Sequence, residues 1–161
     1  MDELTTKKYK YDDYKFIYDV KKIVYKKYVE ENWGKWDETI QMNYFDEFIK
    51  KSKDDIQLIT LKNTPIGFIQ GSNIDDKNYE LGNICILPEF QGKGFGSKIM
   101  HDILEKHKHQ NIHLQYFKQN PVKSLYERLG FKKQSESKYH IQMVKQNIKE
   151  TQSWKLLKLK I

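Results

Sequence analysis

Three glycines fall within five residues of one another in Gln91-Gly92-Lys93-Gly94-Phe95-Gly96. They stand between an apolar run, Asn83-Ile84-Cys85-Ile86-Leu87-Pro88, and an amphipathic segment in which Phe95, Ile99, Met100, Ile103 and Leu104 recur at helical spacing. A strand stopped by proline, a glycine turn and a helix follow in that order. Glycines at such a junction let backbone approach a ligand closely, and the first helical N–H groups are left without intrahelical partners. With the positive end of the helix dipole, those groups make a seat for phosphate. A ligand carrying a pyrophosphate is the first expectation.

The loop is neither of two common phosphate loops. The dinucleotide fingerprint G-x-G-x-x-G fails because Ser97 stands where its last glycine belongs, and G-x-x-x-x-G-K-[ST] occurs nowhere. The pattern Q/R-x-x-G-x-G/A does match, through Gln91, Gly94 and Gly96. It resembles the acetyl-CoA loop of the GNAT N-acetyltransferase superfamily. Alone, the match competes with glycines that serve only close helix-sheet packing. A second block, Asn120-Pro121-Val122-Lys123-Ser124-Leu125-Tyr126-Glu127-Arg128-Leu129-Gly130-Phe131, resembles the family's later motif N-P-x-x-x-L-Y-x-x-L-G-F. It follows the first by a helix and a short strand, the order the fold requires. The resemblance implies an α/β (α+β) fold: a mixed, mostly antiparallel twisted sheet with a central parallel strand pair flanked by helices. The expected domain spans residues 1–145, with residues 146–161 as a tail or extra packing segment.

At 161 residues, the chain is long enough for one sizeable core. No run of 18 apolar residues exists, so no spanning helix is expected. Met1-Asp2-Glu3 lacks the layout of a signal peptide, and Cys85 is the sole cysteine, which together lead us to expect a reducing cytoplasm. Net charge is uneven: residues 1–80 hold 14 Lys against 16 acids, whereas residues 81–161 hold 14 Lys and Arg128 against 6 acids. The excess of positive charge in the second half favours a polyanionic ligand. A nucleic-acid surface would also be basic, but no zinc finger, helix-turn-helix or RRM-like interleaving accompanies the charge, so nucleic acid is not the expected partner.

Periodicity predicts a short strand near Leu4–Lys7 and a helix from Asp12 or Asp13 to about Glu31. A second helix runs from Asp37 to about Lys51. Three strands, Ile56–Leu61, Pro65–Gln70 and Tyr79–Leu87, form an antiparallel meander. The glycine-loop helix, a strand at Asn111–Gln115, a helix at Pro121–Leu129 and strands near Phe131–Gln134 and Tyr139–Val144 complete the order. The Ile84–Gln115 unit is long enough for a crossover, which makes its strands parallel neighbours. Apolar positions 79 and 81 give way to 84 and 86, a phase shift that suggests a β-bulge. The tail ends in alternating lysine and apolar residues and reads as packing or a homodimer contact.

The resemblance also assigns chemistry. Gln91 is expected to belong to the acetyl-CoA site, and backbone N–H groups of Gly92, Lys93, Gly94, Phe95, Gly96 and Ser97 to hold its pyrophosphate. Ile84, Cys85 and Ile86 pair with pantetheine like an extra strand, one N–H polarising the thioester carbonyl. Asn120 hydrogen-bonds the cofactor, although its position before Pro121 equally suits a helix N-cap. Tyr126 is the candidate acid for the departing thiolate, yet Val122, Leu125, Tyr126 and Leu129 also form an ordinary apolar stripe. A primary amine with a pKa of about 10.4 is neutral in only about one of 10³ molecules at pH 7, so a base is useful, and Glu80 is the candidate. Gln115 stands where some relatives have a glutamate and cannot serve. Trp33 and Trp36, beside Glu30, Glu31, Asp37 and Glu38, form a possible aromatic, acidic mouth for an amine acceptor, small molecule or peptide. The five histidines lack zinc-site spacing, so no metal is expected. Two other readings remain open: a non-catalytic acyl-CoA sensor or scaffold, and a basic nucleic-acid module.

Overall fold

The computed structural model describes residues 3–147. Seven strands lie in the order β1-β2-β3-β4-β5-β7-β6. They are β1 (Leu4–Lys8), β2 (Ile56–Leu61), β3 (Thr64–Asp75), β4 (Asn78–Ile86), β5 (Asn111–Phe117), β6 (Lys132–Glu136) and β7 (His140–Lys145). The helices are α1 (Tyr14–Trp33), α2 (Glu38–Ser52), α3 (Phe95–Lys106) and α4 (Lys123–Arg128). Strands β4 and β5 run parallel, and the pairs β1–β2, β2–β3, β5–β7 and β6–β7 are antiparallel. The mixed, mostly antiparallel sheet with one parallel pair is the architecture expected from the motif order.

Contacts divide the chain into two compact units: residues up to Gly71 with Gly82–Lys98, and Ser72–Leu81 with residues from Ile99 on. In the first, Ile17 and Val20 of α1, Phe45 of α2, Ile56 and Leu58 of β2, Phe68 of β3 and Cys85 of β4 share one core. The spacing of the buried α1 residues is helical, which is why that face meets the sheet. Helix α1 stops at Gly34, whose φ of 96° suits glycine and whose N–H donates to Glu30 O. Asp37 caps α2 by accepting from the Ile40 N–H at 2.9 Å. Asp13 stands before α1 but does not cap it with its side chain; its carboxylate accepts the Lys10 N–H at 2.8 Å and closes the turn Tyr11–Asp13. The β2–β3 hairpin turns on Lys62 and Asn63, at φ 48° and 66°. Two left-handed residues in succession match the right-handed twist of the flanking strands.

In the second unit, the first residues of β4 pair with β5 from Asn78↔Asn111 to Leu81↔Leu114. Beyond these pairs, β4 continues to Ile86 and β5 to Phe117. Tyr79 and Leu81 are buried in alternation, whereas Cys85 and Ile86 are buried consecutively. Simple alternation therefore fails in the second half of β4. Helix α4 starts later than periodicity suggests, with Val122 rather than Asn120 at its N-cap and no side-chain cap bond. The Asn120 N–H donates to Phe117 O at 2.8 Å, which commits Asn120 to the turn after β5. The other end of α4 follows expectation: Phe131 N–H reaches Tyr126 O, Gly130 N–H reaches Glu127 O, and Gly130 has φ 97°. This is a Schellman closure. The tail assigned from sequence as packing or dimer contact lies, from residue 148 on, outside the described residues.

Candidate functional site

The glycine loop belongs to the first unit. Leu87 N–H donates to Ile66 O at 2.9 Å, fixing the end of β4 against β3, and Pro88–Phe90 then form one 3₁₀ turn. Gln91 turns its side chain back, Nε2 donating to Ile86 O at 2.8 Å. The glutamine of the motif is therefore a brace between strand and loop. Gly92 and Gly94 sit at φ 72° and 87°, where other residues are strained. A Cβ at either position would meet nothing within 4 Å, so each side of the loop faces open space. Gly96 lies inside α3, with Ile86 Cδ1 at 3.6 Å from its ideal Cβ. Gly92 and Gly94 thus answer a backbone need, whereas a Cβ at Gly96 would make only ordinary contact with Ile86.

Helix α3 accepts its first turn bond at Gly94, from the Lys98 N–H at 3.0 Å. Among the described residues, no backbone N–H from Gly92 to Ser97 donates to a protein partner. Unpaired donors on a loop and a helix end are an arrangement that suits an anion. Lys93 and Lys98 belong to the same stretch and are exposed. The dipole of α3 contributes about 0.3–1 kcal/mol to an anion there.

Ile84 is half-buried, while Cys85 and Ile86 are 1% and 8% exposed. The Cys85 thiol donates to Tyr25 Oη at 3.4 Å, and burial pushes it up to about 11. At neutral pH it is a thiol rather than a thiolate, which makes it a poor nucleophile. An ideal Cβ on Gly67 would stand 2.1 Å from Cys85 O. Strand β3 therefore approaches β4 as only glycine permits. Sequence alone did not single out Gly67; its signal is a lone glycine inside a strand pattern.

Trp33 is 53% exposed. Trp36 packs half-buried on the core of the first unit, and its Nε1–H donates to Glu38 Oε2 at 2.8 Å. Glu38 also accepts from Tyr18 Oη at 2.9 Å and Lys22 Nζ at 2.8 Å. These donors hold its carboxyl down at about 2, Lys22 first among them, and Glu38 keeps Tyr18 up at about 12 beyond the effect of burial. Glu30 accepts from the Trp36 N–H at 3.1 Å. Three of the four acids expected at an acidic mouth are thus engaged at the α1–α2 connection: Glu30 and Glu38 with Trp36, and Asp37 as the cap of α2.

In the second unit, Tyr126 is buried within an aromatic group, its ring 5.7 Å from Tyr116 and 5.9 Å from Phe131. Asn120 is half-buried. Glu80 is exposed on β4, in register with His113 of β5. Of the five histidines, His101 and His109 are exposed and the other three have partners. His107 stacks on Tyr79 at 3.7 Å and pairs with Gln110, His113 Nε2 lies 2.8 Å from Asn78 Oδ1, and His140 packs on Phe117. Among the described residues, no three His, Cys, Asp or Glu side chains are grouped to hold a metal.

Known proteins place this arrangement. The solved structure of the PaiA N-acetyltransferase from Thermoplasma acidophilum, in complex with coenzyme A, superposes with a TM-score of 0.67. It is 21% identical, over 89% of this chain and 99% of that one. PH1933 from Pyrococcus horikoshii OT3 gives a TM-score of 0.69 at 25% identity, covering 90% and 99%. An uncharacterized N-acetyltransferase of Methanocaldococcus jannaschii, MJ1207, is 27% identical over 128 residues, 73% of this chain and 54% of its own length. The chain therefore spans about half the length of that curated relative. Residues 53–133, half of the chain, match the acetyltransferase (GNAT) domain family, and the chain belongs to that family.

Proposed function

We propose that this chain is an acetyl-CoA-dependent N-acetyltransferase that moves the acetyl group to a primary amine by direct attack. The carrying observation is the glycine loop: unpaired N–H groups from Gly92 to Ser97, over open space, at the end of a buried strand. A pyrophosphate fits that cradle, and a Cβ at Gly92 or Gly94 would enter it. The backbone of Ile84–Ile86 then carries the pantetheine arm, with one N–H toward the thioester carbonyl. The amine nitrogen attacks the carbonyl carbon, the carbon–sulfur bond breaks, and the thiolate takes a proton. Tyr126 is the proposed proton donor and Glu80, directly or through water, the proposed base. Asn120 is proposed to hydrogen-bond the cofactor, and Trp33 and Trp36 to flank the acceptor. The protonated state of Cys85 supports direct attack over an acetyl-cysteine intermediate.

One observation favours a second reading, a protein that binds acyl-CoA without turnover. Tyr126 is only 9% exposed and has aromatic neighbours that account for it as core. Release of free thiol from acetyl-CoA, measured across a panel of primary amines, separates the two. Amine-dependent release supports transfer; binding with no release from any amine supports the scaffold.

A further inference from the structure

Inside the first unit lies a polar group that none of the proposed chemistry uses. Lys21, on α1, is half-buried, with Nζ 4.0 Å from the centroid of the Phe48 ring and 5.7 Å from that of Tyr25. Among the described residues, it has no carboxylate partner, although Lys15, Lys22 and Lys26 of the same helix are each paired with an acid. Burial lowers its ammonium from the ordinary lysine range, with the Cys85 thiol opposing that effect. Tyr25 Oη donates to Asn83 Oδ1 at 3.2 Å, and Asn83 Nδ2 donates to Gln70 Oε1 at 3.0 Å. An amide NH₂ carries two donors, and among the described residues only one of them is used.

A half-buried cation held only by aromatic faces recovers part of its lost hydration. A counter-anion recovers more. Here a lysine and an amide, each in contact with Tyr25, are gathered at β4, the strand whose backbone at Ile84–Ile86 is proposed to carry the thioester. One positive charge matches a monoanion better than a phosphate dianion, and no arginine fork is near. We propose that Lys21, with Asn83, seats a carboxylate borne by the acceptor, so that the substrate is an amino carboxylate rather than a simple amine. The assignment rests on the acetyl-transfer reading for the identity of the other end of the molecule.

The test uses acceptors matched in amine and length: 4-aminobutyrate, its neutral amide, and O-phosphoethanolamine, with glycine and 6-aminohexanoate to vary the reach. Thiol release from acetyl-CoA gives kcat/KM for the wild type, Lys21→Met and Lys21→Arg, with Lys21→Gln as a further neutral variant should the methionine protein not fold. Wild type is expected to favour at least one carboxylate over its uncharged counterpart by on the order of 10- to 100-fold, the effect of one charge-assisted hydrogen bond. The preference should fall to near one in the neutral variants and survive in part in Lys21→Arg. No preference in the wild type, a preference unchanged in Lys21→Met, or a stronger preference for phosphate overturns the proposal. Should no amine release thiol, the transfer reading fails separately. Calorimetric titration of butyrate into coenzyme A-loaded protein then reads the anion seat alone: heat in the wild type that is lost in Lys21→Met supports it, and no heat in the wild type removes it.

Discussion

At the scale of single residues, most of the chemistry turns on what small or buried side chains permit. Tyr126→Phe keeps the aromatic packing against Tyr116 and Phe131 but removes the hydroxyl. Steady-state kinetics should show turnover reduced by on the order of 10²-fold with coenzyme affinity little changed. Turnover equal to wild type would leave Tyr126 as core alone. Gly67→Ala addresses structure rather than catalysis. Its Cβ would lie 2.1 Å from the carbonyl oxygen of Cys85, a backbone atom that cannot swing away. Denaturant unfolding should show a loss of roughly 1–3 kcal/mol or more. An alanine tolerated without loss would mean that β3 and β4 separate freely at that point.

Among the elements, the α1–α2 connection has the clearest electrostatic signature. Glu38 receives hydrogen bonds from Lys22, Trp36 and Tyr18, so its folded pKa lies below its unfolded one. A depressed carboxylate contributes stability that is present above the unfolded value, about 4.3, and lost as pH falls toward about 2. Glu38→Gln should flatten that part of the stability–pH profile and leave the neutral-to-alkaline limb largely to the tyrosines. Tyr18, raised to about 12, contributes in the opposite sense: its share is full below about 10 and fades as pH rises toward 12. Urea midpoints measured from pH 2 to 5 check the first claim; an unchanged slope in Glu38→Gln would contradict it. These elements also show how far residues alone could lead. Helical spacing in Ile17, Val20 and Val24, the Asp37 cap and the Gly130 closure were legible because local chemistry sets them. The start of α4 was not, since the Asn120 N–H is taken by Phe117 O three residues back, a local turn that no motif in the sequence announced. The partners of Glu38 were equally hidden: Tyr18 and Lys22 lie on the preceding helix, 20 and 16 residues away in sequence. The glycine loop was legible as a strand-to-helix turn with unpaired N–H groups, whereas the brace from Gln91 to Ile86 O and the close passage of Gly67 needed the fold.

For the molecule as a whole, the distribution of charge along the sequence bears on ligand choice. The net charge of +7 is concentrated after residue 80, in the half of the sequence that carries the glycine loop. Acetyl-CoA affinity should therefore weaken as ionic strength rises from roughly 0.05 to 0.5 M, since screening shortens the reach of those lysines. Salt-independent affinity would confine recognition to the hydrogen bonds of the loop. The most direct test of the central claim is isothermal titration of acetyl-CoA into the wild-type protein and Gly94→Glu. A glutamate there would force φ 87° on a side chain and place a carboxylate in the space the pyrophosphate needs. The account predicts saturable heat for the wild type and none for a folded Gly94→Glu protein; a variant that binds as the wild type does would contradict it.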